Sequence, residues 1–258
     1  MQSKSQKITL GTKEWANSNV NCYFGCSNNC RYCYAKKIAI RFNKKTEDTW
    51  KVMRPNHKSI SKGYAKRKGR VMFPTSHDIT LESLKECLIV LEKLLNAGNE
   101  VLVTTKPRLD CIRKICNIFF TYKNNIQFRF TITSKSNKLL KFWEPFAPLF
   151  EERIEALEFA YHKGFKTSVS IEPFLDEDPY TLVDMLYPYL TESIWIGKMN
   201  YVFSKNKPPN LINFYKYIEK INSKENLLNI IEKAKNYDNN IVRIKDSIYN
   251  YLNKVNFK

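Results

Sequence analysis

From Val20 to Asn200 the chain repeats one pattern, in which a short apolar run is cut off by proline or polar residues and followed by a stretch of helical length. The apolar runs are Val20–Phe24, Arg70–Phe73, Glu100–Lys106, Ile126–Ser134, Lys166–Ile171 and Ser193–Gly197. Between them, Leu81, Leu84, Cys87, Leu88, Leu91, Leu94 and Leu95 keep helical spacing, with Thr80 as the expected cap and Gly98 as the stop. Further helices are expected over 35–42, 108–120 and 149–163, and from Asp178-Pro179 to Tyr187-Pro188. Strands that alternate with helices across short links pair in parallel through right-handed crossovers. Six units are too few to close an eightfold barrel, so the pattern predicts an α/β fold, a partial (β/α)6 barrel of the TIM type with parallel strands. The expected core domain is 1–200, and 201–258 is expected to be a helical, lysine-rich C-terminal extension packed on it.

Barrels of this kind place their chemistry at the carboxyl ends of the strands. There this sequence collects Cys26–Cys33, Thr75-Ser76-His77-Asp78, Lys106, Ser134, Glu172 and Lys198. The cysteines Cys26, Cys30 and Cys33 stand at C-x3-C-x2-C spacing, with Tyr34-Ala35 able to start a helix just beyond. Soft thiolates on so short a loop select an iron–sulfur cluster or zinc. Cys22 has two readings: a fourth ligand that closes a tetrahedral zinc site, or a small buried residue at a strand end. Cys87, Cys111 and Cys116 fall on apolar helix faces and read as core residues, and His57 and His162 carry no assigned role. Seven cysteines, an odd number, and a polar start from Met1 to Lys7 argue against an oxidised secreted scaffold. No apolar run nears the ~20 residues of a membrane helix. The expectation is a cytoplasmic protein with no membrane association.

With the strands placed, the sequence resembles the radical S-adenosylmethionine (radical SAM) superfamily, in the branch of spore photoproduct lyase, often called DNA repair photolyase-like. The resemblance covers roughly residues 10–200. It rests on Gly25-Cys26-Ser27-Asn28-Asn29-Cys30-Arg31-Tyr32-Cys33-Tyr34-Ala35, Met72–Thr80, Val103–Lys106 and Phe128–Ser134. Phe142-Trp143-Glu144-Pro145, Ser170–Pro173 and Trp195–Asn200 extend it. It implies that Cys26, Cys30 and Cys33 hold a 4Fe-4S cluster whose open iron chelates S-adenosyl-L-methionine. It also implies that Tyr32 and Tyr34 lie near the adenine and the cluster edge, with Ser76, His77 and Asp78 where relatives bind the methionine amino group. Lys106 and Ser134 match positions near the carboxylate and ribose, and Glu172 faces the same cavity. Local readings stand beside these: His77-Asp78 as a helix cap, Lys106 and Glu172 as an ion pair, and Ser134 as a chance small residue. The implied reaction is reductive cleavage of S-adenosylmethionine by an electron from a donor such as flavodoxin or ferredoxin. The 5′-deoxyadenosyl radical so formed takes a hydrogen from substrate. One position departs from the lyase, which carries a hydrogen-donating cysteine just after the second strand where this chain has Thr75 or Ser76.

Charge bears on the substrate. The chain has 43 Lys+Arg against 25 Asp+Glu, a formal net charge of +18, which favours polyanions. A nucleic acid is the expected partner, with lysine-rich coding bias as the competing explanation. If function sets the charge, Lys66-Arg67-Lys68 and the C-terminal lysines should flank the barrel mouth. The alternatives are radical chemistry on a protein, peptide or small molecule, and a non-enzymatic zinc or iron–sulfur nucleic-acid-binding module.

Overall fold

The computed structural model describes residues 11–200, 204–205 and 207–256. In chain order the strands are β1 (Ser18–Asn19), β2 (Tyr23–Phe24), β3 (Arg54–Pro55), β4 (Val71–Phe73), β5 (Val101–Thr105), β6 (Ile126–Thr131), β7 (Lys166–Ile171), β8 (Ile194–Ile196) and β9 (Val242–Ile244). The helices are α1 (Tyr34–Arg41), α2 (His57–Ser61), α3 (Leu84–Asn96), α4 (Leu109–Ile118), α5 (Asn137–Trp143), α6 (Phe150–His162), α7 (Tyr180–Leu186), α8 (Pro209–Ile221), α9 (Lys224–Ala234) and α10 (Asp246–Asn256). Seven strands form one parallel sheet in the order β1-β4-β5-β6-β7-β8-β9, and no pairing joins β9 back to β1. The result is an open, partial α/β barrel.

Alternation along the strands sorts their side chains onto two faces. Val71 and Phe73, Val101 and Val103, Ile126, Phe128 and Phe130, Val169 and Ile171, and Ile194 and Ile196 share one core cluster with the inner faces of the helices. Each such side chain contributes about 1.5–3 kcal/mol when fully buried. The residues between them face the lumen and are of another kind. Met72 and Leu102 pack with Ala16 and Trp15, which follow the 3-10 turn Gly11–Glu14. Gln127 and Arg129 both donate to Ser168 Oγ, at 3.1 Å each. The lumen is thus filled largely by polar and aromatic groups.

Three expectations are corrected. The first strand of the sheet is β1, not Val20–Phe24; Tyr23 and Phe24 instead pair antiparallel with Arg54 and Pro55 in a separate ribbon. The helix after β4 starts at Leu84 because Ser83 Oγ accepts from Thr80 N–H and Ser83 N–H donates to Thr80 carbonyl, closing a turn ahead of it. The described residues after 200 form α8, α9 and α10, and they also supply a seventh strand, with Val242 and Arg243 in register with Ile194 and Trp195. That strand carries Lys245 into the barrel.

Candidate functional site: the cysteine loop and the carboxyl end of the strands

The loop Gly25–Cys33 is held by backbone geometry. Gly25 has φ +90, and a Cβ there would lie 2.6 Å from Trp50 carbonyl oxygen and 2.8 Å from that of Val52, so only glycine fits. Cys26 N–H donates to the same Trp50 carbonyl at 3.1 Å. Cys33 caps α1, its sulfur accepting from Lys36 N–H at 3.4 Å. Cys26 Sγ accepts from Asp78 N–H, also at 3.4 Å. Burial pushes all three thiols up from the ordinary cysteine range. Among the described residues no three His, Cys, Asp or Glu side chains close on a single ion.

Around the loop lies a buried network of charge. Asp78 Oδ1 accepts from Lys106 N–H at 2.8 Å and from Thr105 Oγ1 at 3.2 Å; Oδ2 accepts from Asn28 Nδ2 at 2.8 Å and lies 3.8 Å from Lys106 Nζ. Burial alone would raise Asp78, but Lys106 and these hydrogen bonds outweigh it and hold the carboxyl below its usual range. Burial would likewise lower Lys106, and Asp78, the thiol of Cys30, Tyr32 and Glu144 reverse that and keep it charged. Lys106 Nζ sits 5.6 Å from the centroid of the Tyr32 ring, and Tyr32 hydroxyl donates to Glu144. Glu144 is also ion-paired with Arg153, both side chains being fully buried, and accepts from Thr133 Oγ1 at 2.8 Å. Arg31 ties the loop to the end of α5: its N–H donates to Trp143 carbonyl at 2.8 Å and its Nε to Phe142 carbonyl at 2.7 Å.

No protein-family model matches the chain. It is 25% identical over 232 residues to an uncharacterized protein of Methanocaldococcus jannaschii, covering 87% of this chain and 81% of that one. An uncharacterized protein of Acidianus two-tailed virus is 30% identical over 171 residues, 62% of this chain and 55% of the viral protein. Among solved structures, spore photoproduct lyase with bound AdoMet and dinucleoside spore photoproduct superposes with TM-score 0.51 at 16% identity, over 84% of this chain and 64% of the lyase. Streptococcus suis SuiB bound to S-adenosylmethionine gives 0.50 at 10% identity, over 88% of this chain and 46% of SuiB. The chain has the radical SAM fold.

Within that fold the expected site residues separate into groups. Cys26, Cys30, Cys33, Tyr32, Asp78 and Lys106 are joined by the contacts and charge interactions above. Tyr34 hydroxyl donates to Thr75 carbonyl, which places the ring beside the segment after β4. Ser76 N–H and Thr75 N–H both donate to Asn21 Oδ1, at 2.8 and 2.7 Å. His77 turns from the loop: its Nε2 accepts from Cys22 N–H at 3.2 Å and its Nδ1 is 3.0 Å from Asp78 carbonyl oxygen. Ser134 donates to Asp176, and Ser136 N–H to Ser134 Oγ at 2.8 Å. Glu172 does not pair with Lys106; its nearest cation is Lys245 at 3.7 Å, and burial raises its carboxyl. Gly197 makes room for it, since a Cβ there would come within 2.7 Å of Glu172 Cγ. Glu144, Arg153 and Asp176 were not among the expected site residues. Glu144 stood inside the Phe142–Pro145 motif, and a glutamate between tryptophan and proline was the available signal.

The donor set suits a cluster. Three free thiols sit on one loop with N–H donors on two of them, an arrangement that favours thiolate ligands once iron is bound. The irons of a cluster take one cysteine each, so they need no point shared by all three sulfurs. Cys22 is engaged elsewhere, its sulfur 3.5 Å from Cys87 Sγ and 3.8 Å from His77 Nε2, which leaves a four-cysteine zinc site without its fourth member.

Proposed function

We propose that the chain is a radical SAM enzyme in which Cys26, Cys30 and Cys33 hold a 4Fe-4S cluster. When bound, that cluster supplies the electron for reductive cleavage of S-adenosylmethionine to a 5′-deoxyadenosyl radical. The carrying observation is the set of buried Lys106 and Glu144 with half-buried Asp78 and Tyr32, packed against a three-thiol loop at the carboxyl end of parallel strands. Asp78 and Lys106 give a zwitterionic ligand one charge of each sign, and Tyr32 offers an aromatic face. Burial of these groups excludes water and strengthens each electrostatic contact. Anaerobic reconstitution with iron and sulfide, a reductant and S-adenosylmethionine should yield 5′-deoxyadenosine. A reconstituted cluster with no such product would reject the reading.

For substrate, we propose a nucleic acid or nucleotide. The net charge of +18 supports this, as does the likeness to a lyase solved with a dinucleoside photoproduct. The second reading is a peptide, because SuiB has been solved with its precursor peptide SuiA. Lys66-Arg67-Lys68 does not flank the mouth as expected. Arg67 N–H donates to Asn99 Oδ1 and Lys66 lies by Gly98, both ahead of β5, so the cluster sits at the opposite end of the barrel. Product analysis with DNA, RNA, free nucleotides and peptides distinguishes the readings.

A further inference from the structure

The amino end of the strands holds a cavity of about 410 Å³, lined in part by Trp15, Arg70, Arg129, Ser193, Trp195 and Arg243. Its volume falls within the range of small-molecule sites, ~300–1,000 Å³. Glu14 and Glu192 also line it, but both are engaged. Glu14 Oε2 lies 2.6 Å from Lys245 Nζ, and Glu192 lies 3.6 Å from Arg70 Nη1.

Arg129 is the unexplained group. It is 3% exposed, sits on β6 and points into the lumen. Its Nε donates to Ser168 Oγ at 3.1 Å and its Nη2 to Ser193 Oγ at 3.3 Å, while Nη1 is buried with no partner. Among the described residues no carboxylate forms an ion pair with it or with Arg243. Burial pushes the Arg129 guanidinium down to about 9, with the Arg70 and Arg243 charges acting in the same direction and the more distant Glu192 and Glu14 opposing it. A buried charge held only by neutral hydroxyls and ring faces is expensive. The two tryptophans hold it in place, with Arg129 Cζ 4.7 Å from the Trp15 ring centroid and 5.6 Å from that of Trp195. Arg243 Cζ lies 5.5 Å from the same Trp195 ring, at the exposed rim.

We propose that this cavity binds a phosphate-bearing small molecule, with Arg129 and Arg243 on the phosphate and Ser193 and Asn240 at its border. Two guanidinium groups with no carboxylate in ion-pair contact match an anion, Arg70 adds a third beside Glu192, and Glu14 and Glu192 act on Arg129 only at longer range. Arginine presents paired N–H donors in the plane an oxyanion accepts. The site lies at the end of the barrel opposite the cysteine loop and is separate from the proposed radical chemistry.

Calorimetric titration of the chain with inorganic phosphate, adenosine 5′-monophosphate and adenosine tests the site. Saturable binding of either phosphate-bearing probe, with none by adenosine, is the expected result. Tighter binding of the nucleotide than of phosphate identifies an ester as the occupant, and the reverse identifies free phosphate. Arg129→Gln and Arg243→Gln should each weaken the affinity by about tenfold or more. Arg243 is at the rim, so its variant keeps the test decisive if Arg129→Gln does not fold. No saturable binding, or unchanged affinity in Arg243→Gln, overturns the proposal. Cys30→Ala should leave phosphate affinity untouched, so the two readings stand or fall separately.

Discussion

At the carboxyl end of the strands most charges pair with one another: Asp78 with Lys106, Glu144 with Arg153, and Glu172 with Lys245, while Lys198 donates to Met199 carbonyl and Asn200 Oδ1. At the amino end Arg129 is buried as deeply as these and has hydroxyls and indole rings in place of a carboxylate. Both ends of one lumen therefore hold cationic side chains away from water, but Arg129 at the amino end has no carboxylate within ion-pair distance, whereas Lys106 and Arg153 at the carboxyl end do. A paired network keeps its geometry before any ligand arrives, as positioning requires. An unpaired charge is tolerable where a ligand completes it.

The largest expected effect tests the paired end at its thiols. Cys26→Ala, Cys30→Ala or Cys33→Ala should each abolish the charge-transfer absorption of a reconstituted cluster, read by visible spectroscopy. Cys22→Ala should leave it intact, because Cys22 faces Cys87 and His77. Loss of absorption in Cys22→Ala would restore the four-cysteine site and break the contrast between a loop open on one side and a closed one.

Next comes the fully buried pair. Glu144→Ala leaves Arg153 charged with both its own side chain and the deleted one out of solvent, at a cost of about 3–5 kcal/mol. The shift of the urea midpoint at constant slope reads it. The exposed pair Lys220–Glu177 is the control: Lys220→Ala should cost less than about 1 kcal/mol. Equal losses in the two would mean that the carboxyl-end network stabilises by contact area instead of charge.

Much of this was legible from residue order. Val101-Leu102-Val103 and Lys166–Ile171 announce strands through branched residues, and the spacing of Cys26, Cys30 and Cys33 announces the loop. What stayed hidden depends on distant partners. The three residues Val242–Ile244, within a lysine- and asparagine-rich stretch, form a strand only because β8 offers them a parallel edge. The Asp78–Lys106 pair, at 3.8 Å, depends on where two crossovers place the ends of β4 and β5, so Lys106 looked as able to meet Glu172. Arg129 reads as one polar residue in a β-rich run, and nothing in Gln-Phe-Arg-Phe-Thr says that it faces two tryptophans.

The smallest effect concerns Ser134, which bears on both the expected cofactor pocket and the local fold. Its hydroxyl donates to Asp176 and accepts from Ser136 N–H, just ahead of α5. Burial raises the Asp176 carboxyl, and the Ser134 hydroxyl works against that shift by stabilising the ionised form. Ser134→Ala should therefore cost about 1 kcal/mol of stability through the lost hydrogen bonds. If Ser134 also touches S-adenosylmethionine, affinity for it should fall in calorimetry while cluster absorption is unchanged. If Ser134 serves only to fix Asp176 and the start of α5, stability falls and affinity does not. Asp176→Asn separates the two, since it removes the carboxylate and leaves Ser134 in place. Weaker cofactor binding in Ser134→Ala but not in Asp176→Asn assigns the hydroxyl to the pocket, whereas equal behaviour of the two variants assigns it to the scaffold.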